Sequence, residues 1–183
     1  GASRFTVRRA LAGLRELGMV EARPGLGTFV VADRPQAAFT QRLGSLEDLL
    51  QYPEATRREP LALAEAEADA ALAATVGGAA GERWLHLRAM RRTADGGPPI
   101  SWLDAWLRPA WGEGIGLRAA HAEVEVAVGR LDPALAAPMG AAPDTPCLRI
   151  LRRYRDRGGR PYLVTLSVHP EGRFSLAFAF ERT

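Results

Sequence analysis

Apolar residues recur at helical spacing near the start of the chain, at Val7, Ala10, Leu11, Leu14 and Leu17. This pattern predicts an amphipathic helix opening at Ser3, whose hydroxyl suits an N-cap, and closing at Leu17-Gly18. Arg4, Arg8 and Arg15 lie off the apolar face. Two short strands follow, Met19 to Arg23 and Thr28 to Val31, around a Pro24-Gly25-Leu26-Gly27 tip. Ala32-Asp33-Arg34-Pro35-Gln36-Ala37 reads as a linker.

The periodicity then changes. Leu43, Leu46, Leu49 and Leu50 predict a short helix capped at Ser45, and Pro60 to Ala64 a strand. Ala66 to Val76 reads as an alanine-rich helix stopped by Gly77-Gly78. Strand patterns follow at Arg83–Thr93 and Pro99–Leu107, joined by the turn residues Ala94-Asp95-Gly96-Gly97. Glu123 to Val128 alternates, and Asp132-Pro133 opens a helix running to about Met139. Leu148 to Tyr154 and Pro161 to Val168 form a hairpin about Asp156-Arg157-Gly158-Gly159, and Arg173 to Glu181 is a last strand. Hairpins with helices inserted between them predict an α+β domain around an antiparallel sheet.

Composition narrows the class. With 183 residues, 47% hydrophobic and 25% charged, the chain has the make-up of a globular protein that buries a core. No apolar run reaches the length of a membrane span, and no leader peptide is visible. The single Cys147 excludes an intrachain disulfide and fits the cytoplasm. The net charge is +3, and it is unevenly placed: Arg4, Arg8, Arg9, Arg15, Arg23 and Arg34 face only Glu16, Glu21 and Asp33 in the first 34 residues.

Arginine forks and a helix N-terminus suit phosphate or guanine, and the same pattern also describes a surface helix with solvated arginines. His86, His121 and His169 are too scattered for a metal site, Cys147 has no nucleophile signature, and Gly158-Gly159 is a turn. No metal, cofactor or catalytic set is expected. Trp102, Asp104 and Trp106 share one strand face. Two indoles flanking a carboxylate suit a flat or cationic group; alternatively both tryptophans are core and Asp104 pairs with an arginine.

Gly1-Ala2-Ser3-Arg4-Phe5-Thr6-Val7-Arg8-Arg9-Ala10-Leu11, Leu14, Leu17-Gly18 and Arg23-Pro24-Gly25-Leu26-Gly27-Thr28-Phe29-Val30 together resemble the second half of the GntR-family winged helix-turn-helix. The resemblance implies that Arg4, Thr6 and Arg8 contact operator DNA, with Ser3 near phosphates and Gly25 at the wing tip. It also implies that the supporting helices of that domain lie before Gly1, so that these residues alone bind DNA poorly.

A second set of motifs resembles the UTRA effector domain, of chorismate lyase-like fold, in the HutC subfamily. Its carriers are Arg92-Thr93-Ala94-Asp95-Gly96 before Pro99-Ile100, Ala137-Pro138-Met139-Gly140, Arg153 to Pro161, and Ser167-Val168-His169-Pro170-Glu171-Gly172-Arg173-Phe174. The implied organisation is a partial DNA-binding domain at 1–31, a linker at 32–40 and a UTRA domain at 41–183.

By this resemblance the protein is a homodimeric regulator, a repressor by expectation, whose operator affinity follows a small-molecule effector. Arg92 stands at the second position of the family's Arg-x-Arg motif. Met90 occupies the first, with Arg91 as a partial replacement. A glutamate that sugar-phosphate-binding members carry aligns with Leu103. The candidate effector residues are Arg92, Ser101, Trp102, Asp104, Trp106, Tyr162, Thr165, Ser167 and His169. The competing readings are an enzyme of the chorismate lyase type and a stand-alone metabolite-binding module.

Overall fold

The computed structural model describes residues 3–16, 19–31, 40–43, 56–93, 96–109 and 119–178. The predicted helix is present as α1 (Arg4–Glu16), with the Ser3 Oγ accepting from the Thr6 amide at 3.1 Å. Phe5 is 75% exposed; Val7 and Ala10 are also exposed, while Leu11 and Leu14 are half-buried. Strands β1 (Val20–Arg23) and β2 (Gly27–Val30) form the predicted antiparallel hairpin. Gly25 in its tip has φ of 74°, a left-handed value that suits glycine. The expected helix stop at Leu17-Gly18, the linker at 32–39 and the helix capped at Ser45 lie outside the described residues.

The remaining strands are β3 (Thr40–Leu43), β4 (Thr56–Glu67), β5 (Arg83–Thr93), β6 (Ser101–Leu107), β7 (His121–Arg130), β8 (Pro146–Arg155), β9 (Pro161–Pro170) and β10 (Ser175–Phe178). Six of them make one antiparallel sheet in the order β4-β5-β6-β9-β8-β7. β10 does not join it; it pairs in parallel with β3, which begins at Thr40, the last residue of the expected linker. Among the described residues no helix is long and apolar enough to cross a membrane.

One element differs from the sequence reading. Ala66 and Glu67 are strand, not helix: they extend β4 opposite Trp84 and Arg83. Helix α2 (Ala70–Val76) starts only after Asp69, whose carboxylate accepts from the Leu72 amide at 2.8 Å. Its end is as expected, with Gly77 in the left-handed region at φ 67°. Helix α3 (Pro133–Met139) has the expected bounds, is capped by Asp132 and is closed by Gly140.

Alternation along the strands gives the sheet two faces. Both inserted helices pack on one of them. α2 brings Ala73 and Val76 against Trp84, Trp106 and Val164. α3 brings Ala136 and Met139 against Met90, Cys147 and Val168. The opposite face carries Ile150, packed with Ile100 and Phe174 and flanked by Val124, Leu148 and Leu176.

Candidate functional site

The helices cover the two ends of their face, and the strand register fixes what lies between them. One row across the sheet reads Ala62, Arg88, Asp104, Leu166, Leu151, Glu125, each paired with the next. This row is the strip of the face between the parts packed by α2 and by α3, an interhelical groove by its place in the sheet, with Leu151 and Leu166 packed against the α2 cluster. At its centre the Asp104 carboxylate is fully engaged. Oδ1 lies 2.7 Å from Nε2 of His86 and 3.4 Å from Nε of Arg88, and Oδ2 accepts from Nε1 of Trp102 at 2.9 Å. The His86 ring stacks on Trp106, with centroids 5.0 Å apart and planes 14° apart. Asp104 keeps 21% of its side chain exposed, so the cluster is reached from solvent without lying on an open surface.

The nine predicted effector residues do not form one site. Arg92, Trp102, Asp104, Trp106 and Tyr162 sit on the helix-bearing face; Ser101, Thr165, Ser167 and His169 sit on the opposite one. The division is a consequence of the period of two, since residues one apart on a strand point away from each other. On the helix face, Trp106 is buried and Trp102 is half-buried against the α3 cluster. Their arrangement is the network in which the tryptophans are packed and the carboxylate has its own partners, arginine included. Tyr162 is fully buried, and burial, then the Asp156 charge, raises the pKa of its hydroxyl.

Arg92 is also engaged. Its Nε donates to Oε2 of Glu59 at 3.0 Å and its side chain reaches the Gly97 carbonyl at 3.4 Å. Hydrogen bonds from Arg57 and Arg92 hold the pKa of Glu59 below the usual carboxylate value. Met90 leaves the neighbouring position on this face apolar. Arg91, on the other face, donates to the Thr56 hydroxyl at 2.6 Å and is buried.

On the opposite face Ser101, Ser167 and His169 are buried. Nε2 of His169 is 3.0 Å from the Ser167 hydroxyl, and its ring stacks on Phe174 at 3.8 Å. The imidazole is 1% exposed. Burial above all, and the nearby Arg152 and Arg91 charges, lower its pKa to about 3, against some help from the Ile100 backbone. His169 is therefore a neutral core residue inside β9. Beside it lies an apolar cleft of about 520 Å³, lined by Val126, Val128, Leu148, Phe174 and Leu176 among others.

His86 and Arg88 were missed by the sequence reading. The signal was present in the hairpin: once β5 and β6 are set in register, Arg88 pairs with Asp104 and His86 with Trp106. Among the described residues no cluster of three or more His, Cys, Asp and Glu side chains is placed to hold a metal. Cys147 is buried, and that burial pushes its thiol pKa up, away from nucleophilic use. Of the expected DNA-contact residues, Gly25 lies in the β1–β2 tip and the other four at the start of α1. Ser3, Arg4, Thr6 and Arg8 lie exposed on the first turns of α1, where the Ser3 and Thr6 hydroxyls are 2.8 Å apart.

Residues 103–175 match the family described as the UTRA domain. The fold is a UTRA fold. Solved structures agree over longer spans. PhnF from Mycobacterium smegmatis covers 100% of this chain and is covered over 87% of its own, at 22% identity and a TM-score of 0.67. The effector domain of that protein covers 79% of this chain and is itself covered completely, at 20% identity and a TM-score of 0.63. A GntR-family transcriptional regulator from Bacillus cereus covers 71% of this chain, with 99% of its own chain covered, at 16% identity and a TM-score of 0.56. No curated protein matches the sequence. In this fold the strip between α2 and α3, centred on Asp104, is the polar-centred part of the helix-bearing face.

Proposed function

We propose that this chain is the effector-sensing part of a DNA-binding transcriptional regulator, joined to the recognition helix and wing that read its operator. The observation that carries the reading is the joint occurrence of a UTRA fold and the α1-β1-β2 unit, together spanned by a solved structure over 100% of the chain. The subfamily is HutC, the regulator is a cytoplasmic homodimer, and repression is its mode. The effector binds in the groove floored by Arg88, Asp104, Leu151 and Leu166. The role is binding, with no catalytic step assigned to any residue.

Arg4 and Arg8 stand one helical turn apart and exposed, in the arrangement that lets two guanidiniums meet phosphates or base edges along a groove. An effector acts by binding one arrangement of the dimer better than another, which changes operator affinity by the ratio of those affinities.

The test is selection of duplexes from a random library by the immobilised protein as the cell makes it, with whatever precedes Gly1, repeated with a dialysable cell extract. A recovered consensus that weakens with extract, and is lost in Arg4→Ala and Arg8→Ala variants, is the expected result. Salt-sensitive binding without a consensus, unaltered by extract, would remove the regulator reading.

A further inference from the structure

The groove's centre also defines what it can recognise. A carboxylate beside two indoles suggests a cation, and the hydrogen bonds exclude that use. Both Asp104 oxygens already accept, one from Trp102 and one from His86, and Arg88 neutralises the charge. One face of Trp106 is taken up by the His86 ring. What remains for a ligand is donor capacity. The Arg88 side chain is 55% exposed, and its Nε lies toward Asp104. Among the described residues its two terminal nitrogens make no hydrogen bond. Along the same row the floor turns apolar at Leu166 and Leu151, which pack against the α2 cluster on one side and stay half-exposed.

We infer that the ligand of this groove is a small organic acid, its carboxylate taken by the terminal nitrogens of Arg88 and its apolar body lying over Leu166 and Leu151. A guanidinium presents two parallel N–H groups in the geometry a carboxylate accepts. Asp104, held by His86 and Trp102, acts through Arg88: it anchors the Nε side and leaves the two terminal nitrogens for the ligand. Arg92 is not the anchor, because Glu59 and the Gly97 carbonyl hold it. Arg149 lies on the same face three strands away from Arg88. The inference rests on the reading of this groove as the effector site.

The experiment uses the whole chain, with benzoate and hexanoate as acids, benzylamine as the matching cation, and inorganic phosphate. Binding is followed by thermal shift and by the ¹⁵N–¹H signal of the Trp102 indole. Benzoate or hexanoate is expected to raise the melting temperature and move the Trp102 signal, while benzylamine does neither. Arg88→Gln should weaken the acid by about tenfold or more, the loss of a charged hydrogen-bond pair. Arg92→Gln and Arg149→Gln should leave the acid's affinity within about twofold.

A Trp102 response to benzylamine or phosphate with none to the acids overturns the ligand class and leaves the groove standing. Acid binding that ignores Arg88→Gln and leaves Trp102 unmoved places the site elsewhere and overturns the groove reading itself. No binding by either acid at millimolar concentration also overturns the inference.

Discussion

His169 should impose a pH dependence on stability that can be worked out from its surroundings. The imidazole is 1% exposed, bonded to Ser167 and stacked on Phe174, near the Arg152 and Arg91 charges. Its pKa falls from 6.5 to about 3 on folding, chiefly through burial. The unfolded chain therefore takes up a proton near pH 6.5 that the folded chain refuses until near pH 3. The fold has its full stability from this group above pH 6.5 and loses it as the pH falls toward 3.

Between pH 7 and pH 5 the loss is about 2 kcal/mol, at about 1.4 kcal/mol per pH unit once the unfolded imidazole is protonated. Glu59 and Glu123, held low by their arginine partners, add their own losses at more acidic pH. The clean comparison is therefore with His169→Gln, which cannot titrate there. Urea unfolding followed by circular dichroism at pH 8, 7, 6 and 5 measures both proteins. The wild-type advantage over the variant should shrink by about 2 kcal/mol from pH 7 to pH 5. Parallel stability curves for the two proteins would refute the claim that the imidazole is held neutral in the core.

Further predictions concern the parts that hold the groove. Trp106 is buried between His86 and the α2 cluster; Trp106→Ala should cost about 3–5 kcal/mol in urea unfolding, and a cost below about 1 kcal/mol would show that α2 does not depend on it. The Asp69 cap and the left-handed Gly77 bound α2 at its two ends, so Asp69→Ala and Gly77→Ala should each lower stability by about 1 kcal/mol. Unchanged midpoints for both would contradict the capping argument.

The elements with local signals were legible in the sequence. Asp132-Pro133 and Gly140 bound α3 because a cap and a left-handed glycine act over a few residues. β5 kept its bounds because a turn sequence follows its apolar run. The failures are of longer range. Ala66 and Glu67 look helical beside other alanines, yet pairing with Trp84 and Arg83 makes them strand, and the Asp69 cap then fixes where the helix starts. The parallel pairing of β3 with β10 joins residues more than a hundred positions apart, which no local pattern reports.

The site was legible by residue type more than by placement. Trp102, Asp104 and Trp106 were grouped correctly because one strand and its period of two decide that question. Ser101, Thr165, Ser167 and His169 were drawn into the same group although their side chains stand on the other face. His86 and Arg88 escaped because their significance depends on the β5–β6 register. The alternation of β5 by itself does not reveal that their cross-strand partners are Trp106 and Asp104.

The most direct measurement is a crystal structure of the chain grown with benzoate or hexanoate, the acids used above as probes. Carboxylate density is expected within hydrogen-bond distance of the Arg88 terminal nitrogens, in the groove between α2 and α3, with the apolar body over Leu166 and Leu151. Ligand density confined to the cleft beside Val126, Leu148 and Phe174 on the opposite face, with Arg88 unengaged, would contradict it.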